Sequence, residues 1–487
     1  MDEDDLNNRL VAPETLDDPN RQYTKGEQQP TGCRDAWAAI LFYAQFIAVV
    51  SVCVILGVPA LNKHISTDQQ GQQDESSTVD YGEFAGIAYL VGASAGCTFV
   101  LSGISLFVMT LCPKFLIQFS LLFSLAVSAV MMILGFMSGV FIGGFFGLVF
   151  FALSACYARI VWKRIPFAAA NLNAGLTAVK SNAFLFVMAY IFPFMTWVYT
   201  CVWFVALFGV YDATGVIDEN GELTEDNTVW VYFTLLLLAL FWSEQVIQNT
   251  MHAIVAGVVS TWWFVPEEAN HCCSRAIMAS TIRATTTSFG SICFGSLLVA
   301  IIQTLRSMTE NARDNRDFDC AAFLLCLVDC CLSCLQGILE YFNKFAYIYV
   351  GMYGYSYLEA GKNVWTLFKA KGWTVIVNDD LIQNTLSLFN LIVGLAVGGV
   401  GVALKAANPD WLAIVTDDSA ATAVAFFFPF LVGVVVSAVM FSIVDSSVNT
   451  VIVCFAEGPA EFEANHPQLS MEMREGWRQV YPEECGF

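Results

Sequence analysis

Ten apolar runs of about 20 residues or more constrain the fold of this 487-residue chain more than any other feature. A helix of about 20 residues crosses the roughly 30 Å hydrocarbon core of a bilayer, and it satisfies its backbone polar groups internally. The sequence therefore predicts an all-α fold, a polytopic membrane helical bundle with about ten transmembrane helices. The predicted spans cover residues 36–59, 84–111, 115–134, 137–157, 182–209, 229–258, 284–305, 321–350, 381–404 and 422–447.

The composition excludes an ordinary soluble protein. Hydrophobic residues make up 57% of the chain and charged residues only 13%, too few to cover a water-exposed surface of this size. The net charge of −21 lies mostly outside the apolar runs and argues against nucleic acid as a partner. The 16 cysteines lie mostly in or beside predicted spans, so they do not indicate a disulfide framework. The partner that this composition requires is the lipid bilayer.

The predicted spans divide the chain into three parts. Residues 1–34 predict a disordered cytosolic arm, residues 35–450 a transmembrane domain, and residues 451–487 a cytosolic tail. Lys and Arg are concentrated in the segments that this arrangement places inside, so both the N- and C-termini are predicted to be cytosolic. The topology of residues 305–350 fits this bias least, because several arginines there fall outside. Interfacial helices are predicted in two linkers, 159–181 and 354–371.

Glycines recur at every fourth position near the fourth span. One helix face there lacks side chains, so another helix backbone can approach it closely. We predict tight helix packing at this face, with a flexible gating face as the alternative. Gly394 and Gly398 in the ninth span predict a second close contact. The glycines near the fourth span are Gly135, Gly139, Gly143 and Gly147.

Prolines interrupt two of the predicted spans. Pro193 in the fifth span and Pro429 in the tenth each remove a backbone donor, which frees the carbonyl four residues earlier. Those carbonyls belong to Ala189 and Ala425. Broken helices expose backbone dipoles to substrates in transporters, but prolines also kink membrane helices for packing alone. Both interpretations stay open.

A polar stripe in the sixth span is the strongest candidate for a functional site. Glu244 lies near the middle of this span, where a charged acid costs about 3 kcal/mol on insertion scales. Gln248 and His252 follow four and eight residues later, so all three share one helix face. The stripe predicts a face that lines the bundle interior or a water-filled path. Its role is either substrate binding or gating, or a structural hydrogen-bond network.

Aromatic residues of the fifth span form a second candidate face. Tyr190, Phe194 and Trp197 lie on one side of the helix, beside Pro193. Such a face can enclose a quaternary ammonium ion by cation–π attraction. Aromatic stripes are also common in ordinary packing and at membrane interfaces, so this alternative stays open.

Other charges in the spans have plainer interpretations. Glu340 and Lys344 are an acid–base pair one helical turn apart and can satisfy each other. Asp329 has no base at that spacing. A group of cysteines in the eighth span has no nearby histidine, so it predicts a packing or lipidated face rather than a metal site. These are Cys320, Cys326, Cys330, Cys331 and Cys334.

No arrangement of residues predicts an enzyme, a metal site or a cofactor. Gly92-Ala93-Ser94-Ala95-Gly96 fits the nucleophile-elbow pattern, but that motif needs a strand-to-helix turn and this stretch lies in a predicted transmembrane helix. The four histidines are scattered along the chain.

Short motifs in the second half of the chain carry a family resemblance. Their order and their spacing relative to the predicted helices resemble the choline transporter-like family, in particular its fungal and plant-like branches. Two positions depart from the family pattern, because Asn449 and Gly458 stand where acids are common. The matching motifs are Arg164-Ile165-Pro166-Phe167-Ala168, the stretch 290–297, Asn343, Ala346-Tyr347, Tyr353-Gly354, the stretch 454–459, His466-Pro467-Gln468-Leu469, Trp477 and Tyr481-Pro482.

The resemblance implies a membrane transporter of the solute carrier type for choline or a related organic cation, facilitative in mechanism. The implied partner is a small cationic amine, and the expected location is the plasma membrane, with an organelle membrane as the alternative. A non-transporting membrane scaffold or lipid-handling protein is the second hypothesis. Combined with the stripe and the aromatic faces, the resemblance gives a predicted substrate site. Its residues are Glu244, Gln248, His252, Tyr190, Trp197 and Tyr347.

Overall fold

The computed structural model describes the chain in seven stretches, all of them helical apart from short connections. No strand occurs among the described residues, so the predicted all-α class is confirmed. The disordered arm predicted for residues 1–34 falls almost wholly outside them. The described residues are 32–62, 81–137, 141–214, 227–314, 320–371, 380–412 and 418–480.

Fifteen α-helices make up the described part of the chain. The first continues beyond Val52 through a π-helical turn, Cys53–Gly57, and the span ends at Asn62. The helices are α1 (Ala36–Val52), α2 (Tyr81–Leu111), α3 (Pro113–Met137), α4 (Phe141–Val161), α5 (Ile165–Ser181), α6 (Phe184–Thr214), α7 (Asn227–Phe264), α8 (Arg275–Thr285), α9 (Phe289–Asp314), α10 (Cys320–Tyr353), α11 (Tyr357–Lys371), α12 (Asp380–Ala407), α13 (Asp418–Glu457), α14 (Pro459–Asn465) and α15 (Pro467–Val480).

Ten spans in the described residues are long and apolar enough to cross a membrane. They coincide one by one with the ten predicted spans, because about 20 apolar residues in sequence leave few alternatives to a bilayer-crossing helix. The chain is an integral membrane protein.

The helices group into two compact units. Of the described residues, the first contains 32–62, 187–214, 227–261, 273–314 and 320–366, and the second contains the rest. The described part of the predicted tail, residues 451–480, belongs to the second unit. The assignment of residues 35–450 as the transporter domain stays a prediction.

The predicted glycine face of the fourth span is wrong in its register. Gly135 lies in α3, and α4 begins only at Phe141, so the repeat is divided between two helices. Glycine still serves a close contact between them, because a Cβ atom on Gly147 would lie 2.8 Å from the Met132 Cα. Spacing alone could not reveal the break, since the residues between α3 and α4 are as apolar as the helices.

In the second unit, α12 and α13 cross at glycines, as predicted. A Cβ atom on Gly398 would lie 2.9 Å from the Phe426 ring, and one on Gly433 would lie 3.0 Å from the Gly394 Cα. Pro429 lies inside α13 at this crossing. The Ala425 carbonyl that it frees lies against α12, where a side chain on Gly401 would overlap it.

The linker helix α5 is buried rather than peripheral. The prediction of an interfacial helix over 159–181 gives the helix correctly, but 12 of the 17 residues of α5 are buried. Gly175 lies against Ser447 of α13, where a Cβ atom would come within 2.9 Å of the hydroxyl. Trp477 of α15 donates a 3.3 Å hydrogen bond to Asn171 and packs 4.7 Å from the Phe167 ring. The second predicted linker helix, over 354–371, is present as α11, and its interfacial position stays a prediction.

Side chains of the tail form hydrogen bonds with the last backbone carbonyls of α7, within the second unit. Asn465 Nδ2 donates to the carbonyls of Trp263 and Phe264, at 2.9 and 3.1 Å. The His466 ring stacks on Trp262 with centroids 4.1 Å apart, and its Nε2 bonds the Trp262 carbonyl at 3.1 Å. The last carbonyls of a helix have no partner within the helix, so these bonds satisfy them. Burial lowers the pKa of His466 below its ordinary 6.5, although the bond to the carbonyl acts in the opposite direction.

Gly401→Ala is expected to destabilise the protein, because the added methyl group overlaps the Ala425 carbonyl and the Pro429 ring. Overpacking of this kind costs about 1–3 kcal/mol. Gly399→Ala is the matched control, since nothing lies within 4 Å of a Cβ atom at that position of the same helix. Thermal unfolding in detergent should give a lower Tm for Gly401→Ala alone. Equal Tm values would contradict the close crossing.

The lowered pKa of His466 predicts a loss of stability in mild acid. As pH falls below about 6.5, the unfolded chain takes up a proton at His466 before the folded protein does, so the folded state becomes relatively less stable. His466→Gln should flatten the fall in Tm between pH 7.5 and 5.5, whereas His271→Gln, at an exposed position, should leave it unchanged. The same slope in all three proteins would exclude this role for His466.

Candidate functional site

The first unit contains a carboxylate without a partner inside a membrane span. Glu244 lies in α7, half-buried, beside the fully buried Ser243. Among the described residues, its carboxylate makes no hydrogen bond and no ion pair. An acid at this depth is costly unless a positive charge or a hydrogen-bond donor meets it. Glu244 is therefore the position in this unit where a bound cation would offset the largest cost of an unpaired charge.

Three polar or aromatic side chains lie around Glu244 and form with it the Gln45 cluster, defined as Gln45, Tyr199, Ser243 and Glu244. Gln45 Nε2 of α1 donates to Ser243 Oγ at 3.1 Å. The buried Tyr199 of α6 donates its hydroxyl to the Ala239 carbonyl at 3.1 Å. Ala239 precedes Ser243 by four residues, one helical turn, so the Tyr199 hydroxyl meets α7 beside Ser243. The cluster brings one carboxylate, one amide and one aromatic ring together from three helices.

Sequence reasoning found Glu244 but missed the rest of the cluster. Tyr199 lies two residues after Trp197, about 200° further around the helix, so it belongs to a different face from the predicted one. Its ring stacks on Phe46 of α1 with centroids 5.6 Å apart. The available signal for Ser243 was its position next to Glu244. No local signal marked Gln45, because its partner lies 198 residues away.

The predicted polar stripe of α7 divides in the structure. Gln248 is exposed, whereas His252 is buried and its Nε2 bonds the Lys344 carbonyl of α10 at 2.7 Å. His252 also lies about 12 Å along the helix from Glu244, too far to share one small ligand with it. The geometry of His252 fits the structural hydrogen-bond network that the sequence left open. The parts of Gln248 and His252 in substrate binding stay predictions.

The predicted aromatic face points outward. The Trp197 side chain is 61% exposed and stacks on the equally exposed Phe194, with ring centroids 6.2 Å apart. Tyr190 is half-buried. In a membrane span, an outward apolar ring is what lipid contact favours. The structure therefore does not bring Trp197 to Glu244, and a role for Tyr190 or Trp197 in binding stays a prediction.

Tyr347 is linked to α7 by a chain of polar side chains. Its fully buried hydroxyl donates to the Ile292 carbonyl at 3.2 Å and lies 3.3 Å from Ser296 Oγ. Asn249 Nδ2 donates to Ser296 Oγ at 3.0 Å and to Gln245 Oε1 at 3.3 Å. The chain ends at the residue next to Glu244. Tyr347 is thus buried and linked to α7 through Ser296 and Asn249, and its part in substrate binding stays a prediction.

The stretch 290–297 of α9 organises a second set of contacts around Asp35. The Asp35 carboxylate accepts hydrogen bonds from Ser291 Oγ at 2.8 Å and from the Tyr357 backbone N–H at 2.9 Å. It therefore places a negative charge at the N-terminus of α11, where the helix dipole favours one. Asp35 has the left-handed φ of 48°, and side chains at Gly290 would overlap the backbone beside it. Both features make a larger side chain at Gly290 incompatible with this arrangement.

Tyr357 and Asn343 complete this set. The Tyr357 hydroxyl donates to Asn343 Oδ1, and Asn343 Nδ2 donates to the Gly295 carbonyl at 3.1 Å. Burial raises the pKa of Tyr357 to about 12, so its hydroxyl keeps the donor proton at any physiological pH. The two bonds join α9, α10 and α11.

The charges of α9 and α10 satisfy one another. Asp329, which has no base one turn away, is paired with Arg306 at 3.1 Å and Arg313 at 3.8 Å. Arg306 also donates to Gln336 at 3.0 Å, and Gln336 donates to Glu340 at 2.7 Å. These bases come from the preceding helix, so helical spacing could not reveal them. Cys326, Cys330, Cys331 and Cys334 are exposed, so they do not form a packed face among the described residues, and the lipidated face stays a prediction.

Comparison with known proteins places this architecture among membrane transport families. A family model described as "Plasma-membrane choline transporter" matches residues 145–460. "Protein PNS1" of Gibberella zeae is 30% identical over 69% of this chain and 62% of its own length. "Protein PNS1" of Cryptococcus neoformans is 28% identical over 91% of this chain and 81% of its own. A "CTL-like protein" of Dictyostelium discoideum is 28% identical over 66% of this chain and 55% of its own.

Tyr357→Phe is expected to destabilise the first unit, because it leaves the buried Asn343 Oδ1 without its donor. An unsatisfied buried acceptor costs about 1–3 kcal/mol. Tyr232→Phe, at an exposed position, is the control that loses a hydroxyl from the surface of a span. Thermal unfolding should show a lower Tm for Tyr357→Phe only. A Tm equal to that of the control would show that the hydroxyl contributes nothing.

Proposed function

Because the chain belongs to the choline transporter family, we propose that it is a facilitative transporter for choline or a related organic cation. Family membership supports transport as the class of function. The single observation that carries the choice of site is the Glu244 carboxylate, half-buried in α7 and without a partner among the described residues.

The chemistry of the Gln45 cluster suits a quaternary ammonium ion. Such an ion has no N–H group, so hydrogen bonds to its nitrogen cannot hold it, and it is bound by opposite charge and by aromatic faces. Glu244 supplies the charge. Tyr199, whose ring stacks on Phe46, supplies the aromatic group of the cluster and is buried, where cation–π attraction is strongest because water is excluded.

Transport requires that the site open to each side of the membrane in turn. Glu244 is only half-buried in this structure, which leaves part of its surface available for contact with a ligand. Close backbone contacts within the first unit provide surfaces that can slide without displacing side chains. At one of them, a side chain on Gly209 of α6 would overlap the backbone of Gly57. Rearrangement about such contacts is the common basis of alternating access.

Location and orientation form part of the proposal. The description of the family model supports the plasma membrane as the place of function. The distribution of Lys and Arg supports cytosolic termini.

Glu244→Gln is expected to lower choline uptake at least tenfold in liposomes that contain the purified protein. The substitution keeps the shape of the side chain but removes the countercharge, and each tenfold of affinity corresponds to about 1.4 kcal/mol. Initial rates of radiolabelled choline uptake measure the effect.

Glu267→Gln is the matched control, because it makes the same change at an exposed position outside the spans. It should transport like the unmodified protein. Unchanged uptake by Glu244→Gln would remove Glu244 from the mechanism. Absence of saturable uptake for every amine tested would overturn transport and favour the scaffold or lipid-handling hypothesis.

A further inference from the structure

The amide oxygen of Gln45 is an acceptor that the protein does not use. Gln45 Oε1 is buried and accepts no hydrogen bond from any described residue. A buried acceptor left without a donor costs about 1–3 kcal/mol relative to a satisfied one. Natural proteins rarely retain such a group unless another molecule or another conformation satisfies it.

The hydrogen bonds around Gln45 fix which end of its amide is left over. Gln45 Nε2 donates to Ser243 Oγ at 3.1 Å. Tyr199 gives its own proton to the Ala239 carbonyl at 3.1 Å, so it does not donate to Gln45. The amide nitrogen is therefore used within the protein, and the amide oxygen is the group that needs a donor from outside.

The amide that carries the unused oxygen bonds α7 at the residue next to the carboxylate without a partner. Gln45 Nε2 donates to Ser243 Oγ at 3.1 Å, and Glu244 is the residue that follows Ser243. A ligand that fits both must carry a positive charge and, a few ångströms away, a hydrogen-bond donor.

We propose that Gln45 determines specificity by accepting a hydrogen bond from the hydroxyl of a cationic amino alcohol whose ammonium group faces Glu244. This inference rests on the proposed function and adds the residue that distinguishes the hydroxyl. A site with a carboxylate and an unused acceptor rejects the corresponding amino acid, in which a carboxylate replaces the hydroxyl, because like charges and facing acceptors repel. It also disfavours an alkyl ammonium ion, which leaves the amide oxygen unsatisfied.

The burial of Gln45 Oε1 adds a conformational requirement. The oxygen is covered in this structure, so the hydroxyl reaches it only when α1 and α7 separate enough to admit the ligand. Binding of the hydroxyl then favours the open arrangement over the closed one. The same hydrogen bond therefore contributes both to selection and to the movement that transport requires.

The test compares choline with ethyltrimethylammonium, the same cation with hydrogen in place of the hydroxyl. Uptake into liposomes and thermal stabilisation of the purified protein are measured for both cations. The unmodified protein should prefer choline by about tenfold or more. Gln45→Met, which keeps the length of the side chain but has no acceptor oxygen, should reduce this preference to about twofold or less.

Two further variants separate recognition from stability. Gln45→Glu keeps acceptor oxygens at the same place and should retain the preference. Ser243→Ala removes the hydrogen bond that Gln45 makes within the protein but leaves Oε1 in place, so it should lower binding of both cations equally and leave their ratio unchanged. If Gln45 had only a structural role, Ser243→Ala and Gln45→Met would behave alike. If Gln45→Met does not fold, the ratios for Gln45→Glu and Ser243→Ala still decide, because loss of the preference in either overturns the proposal.

The outcomes also distinguish this inference from the proposed function. Uptake of both cations with no preference in the unmodified protein would overturn the role of Gln45 and leave transport intact. Preferential binding of choline that depends on Gln45, without uptake, would overturn transport and leave the role of Gln45 intact. Failure of both cations to bind or to be transported would overturn both.

Discussion

The hydrocarbon core of a membrane supplies no water, and the polar side chains of this protein must therefore find partners inside it. In the first unit they find backbone carbonyls of neighbouring helices. Trp203 donates to the Leu236 carbonyl at 2.7 Å, and Trp242 donates to the Cys293 carbonyl at 3.0 Å. Asn343, Tyr347 and His252 bond carbonyls in the same manner. A helical carbonyl can accept a second hydrogen bond without losing its first, so these contacts join helices without disrupting them.

The ionisable residues of the same unit fall into two groups. Arg306, Asp329 and their neighbours form a connected set of ion pairs and hydrogen bonds, which is how buried charge is normally stabilised. Glu244 has no such set. The contrast within one unit is informative because the chain evidently can build compensating networks. The Glu244 carboxylate lacks a compensating network, and the Gln45 amide oxygen lacks a donor. Binding of a ligand would therefore lower the free energy most at these two groups.

The spans were predictable because hydropathy is a local property and a bilayer fixes the required length. The register of Gly135 and Gly147 was not, since α3 continues to Met137 and α4 begins only at Phe141, a few residues beyond the predicted boundaries. Glu244 was found because an acidic residue inside an apolar run is visible in the sequence itself. Its neighbours Gln45 and Tyr199 come from other helices, so only the tertiary structure identifies them. Trp197 was selected because an aromatic ring can bind a cation. Periodicity shows which residues share a helix face, but only the packing of the helices decides whether that face meets lipid.

The family resemblance supplied a different kind of information. It singled out residues 290–297 without a physical reason for doing so. The structure gives that reason, because Ser291, Gly295 and Ser296 each meet a different partner from α1, α7, α10 or α11. Short glycine- and serine-rich stretches of this type are weak predictors of structure alone. Their significance lies in how many other helices must approach them.

The π-helical turn Cys53–Gly57 has a geometric consequence for α1. A π-helical turn contains one residue more than an α-helical turn. Its position along α1 can shift when neighbouring backbone hydrogen bonds change from the i→i+4 pattern to the i→i+5 pattern. If the π-helical turn migrated more than two turns towards the N-terminus, each side chain that it passed would rotate by about 100° around the axis. Gln45 lies two turns from Cys53. Such a migration would swing its amide away from α7 while both ends of the span kept their depth in the membrane.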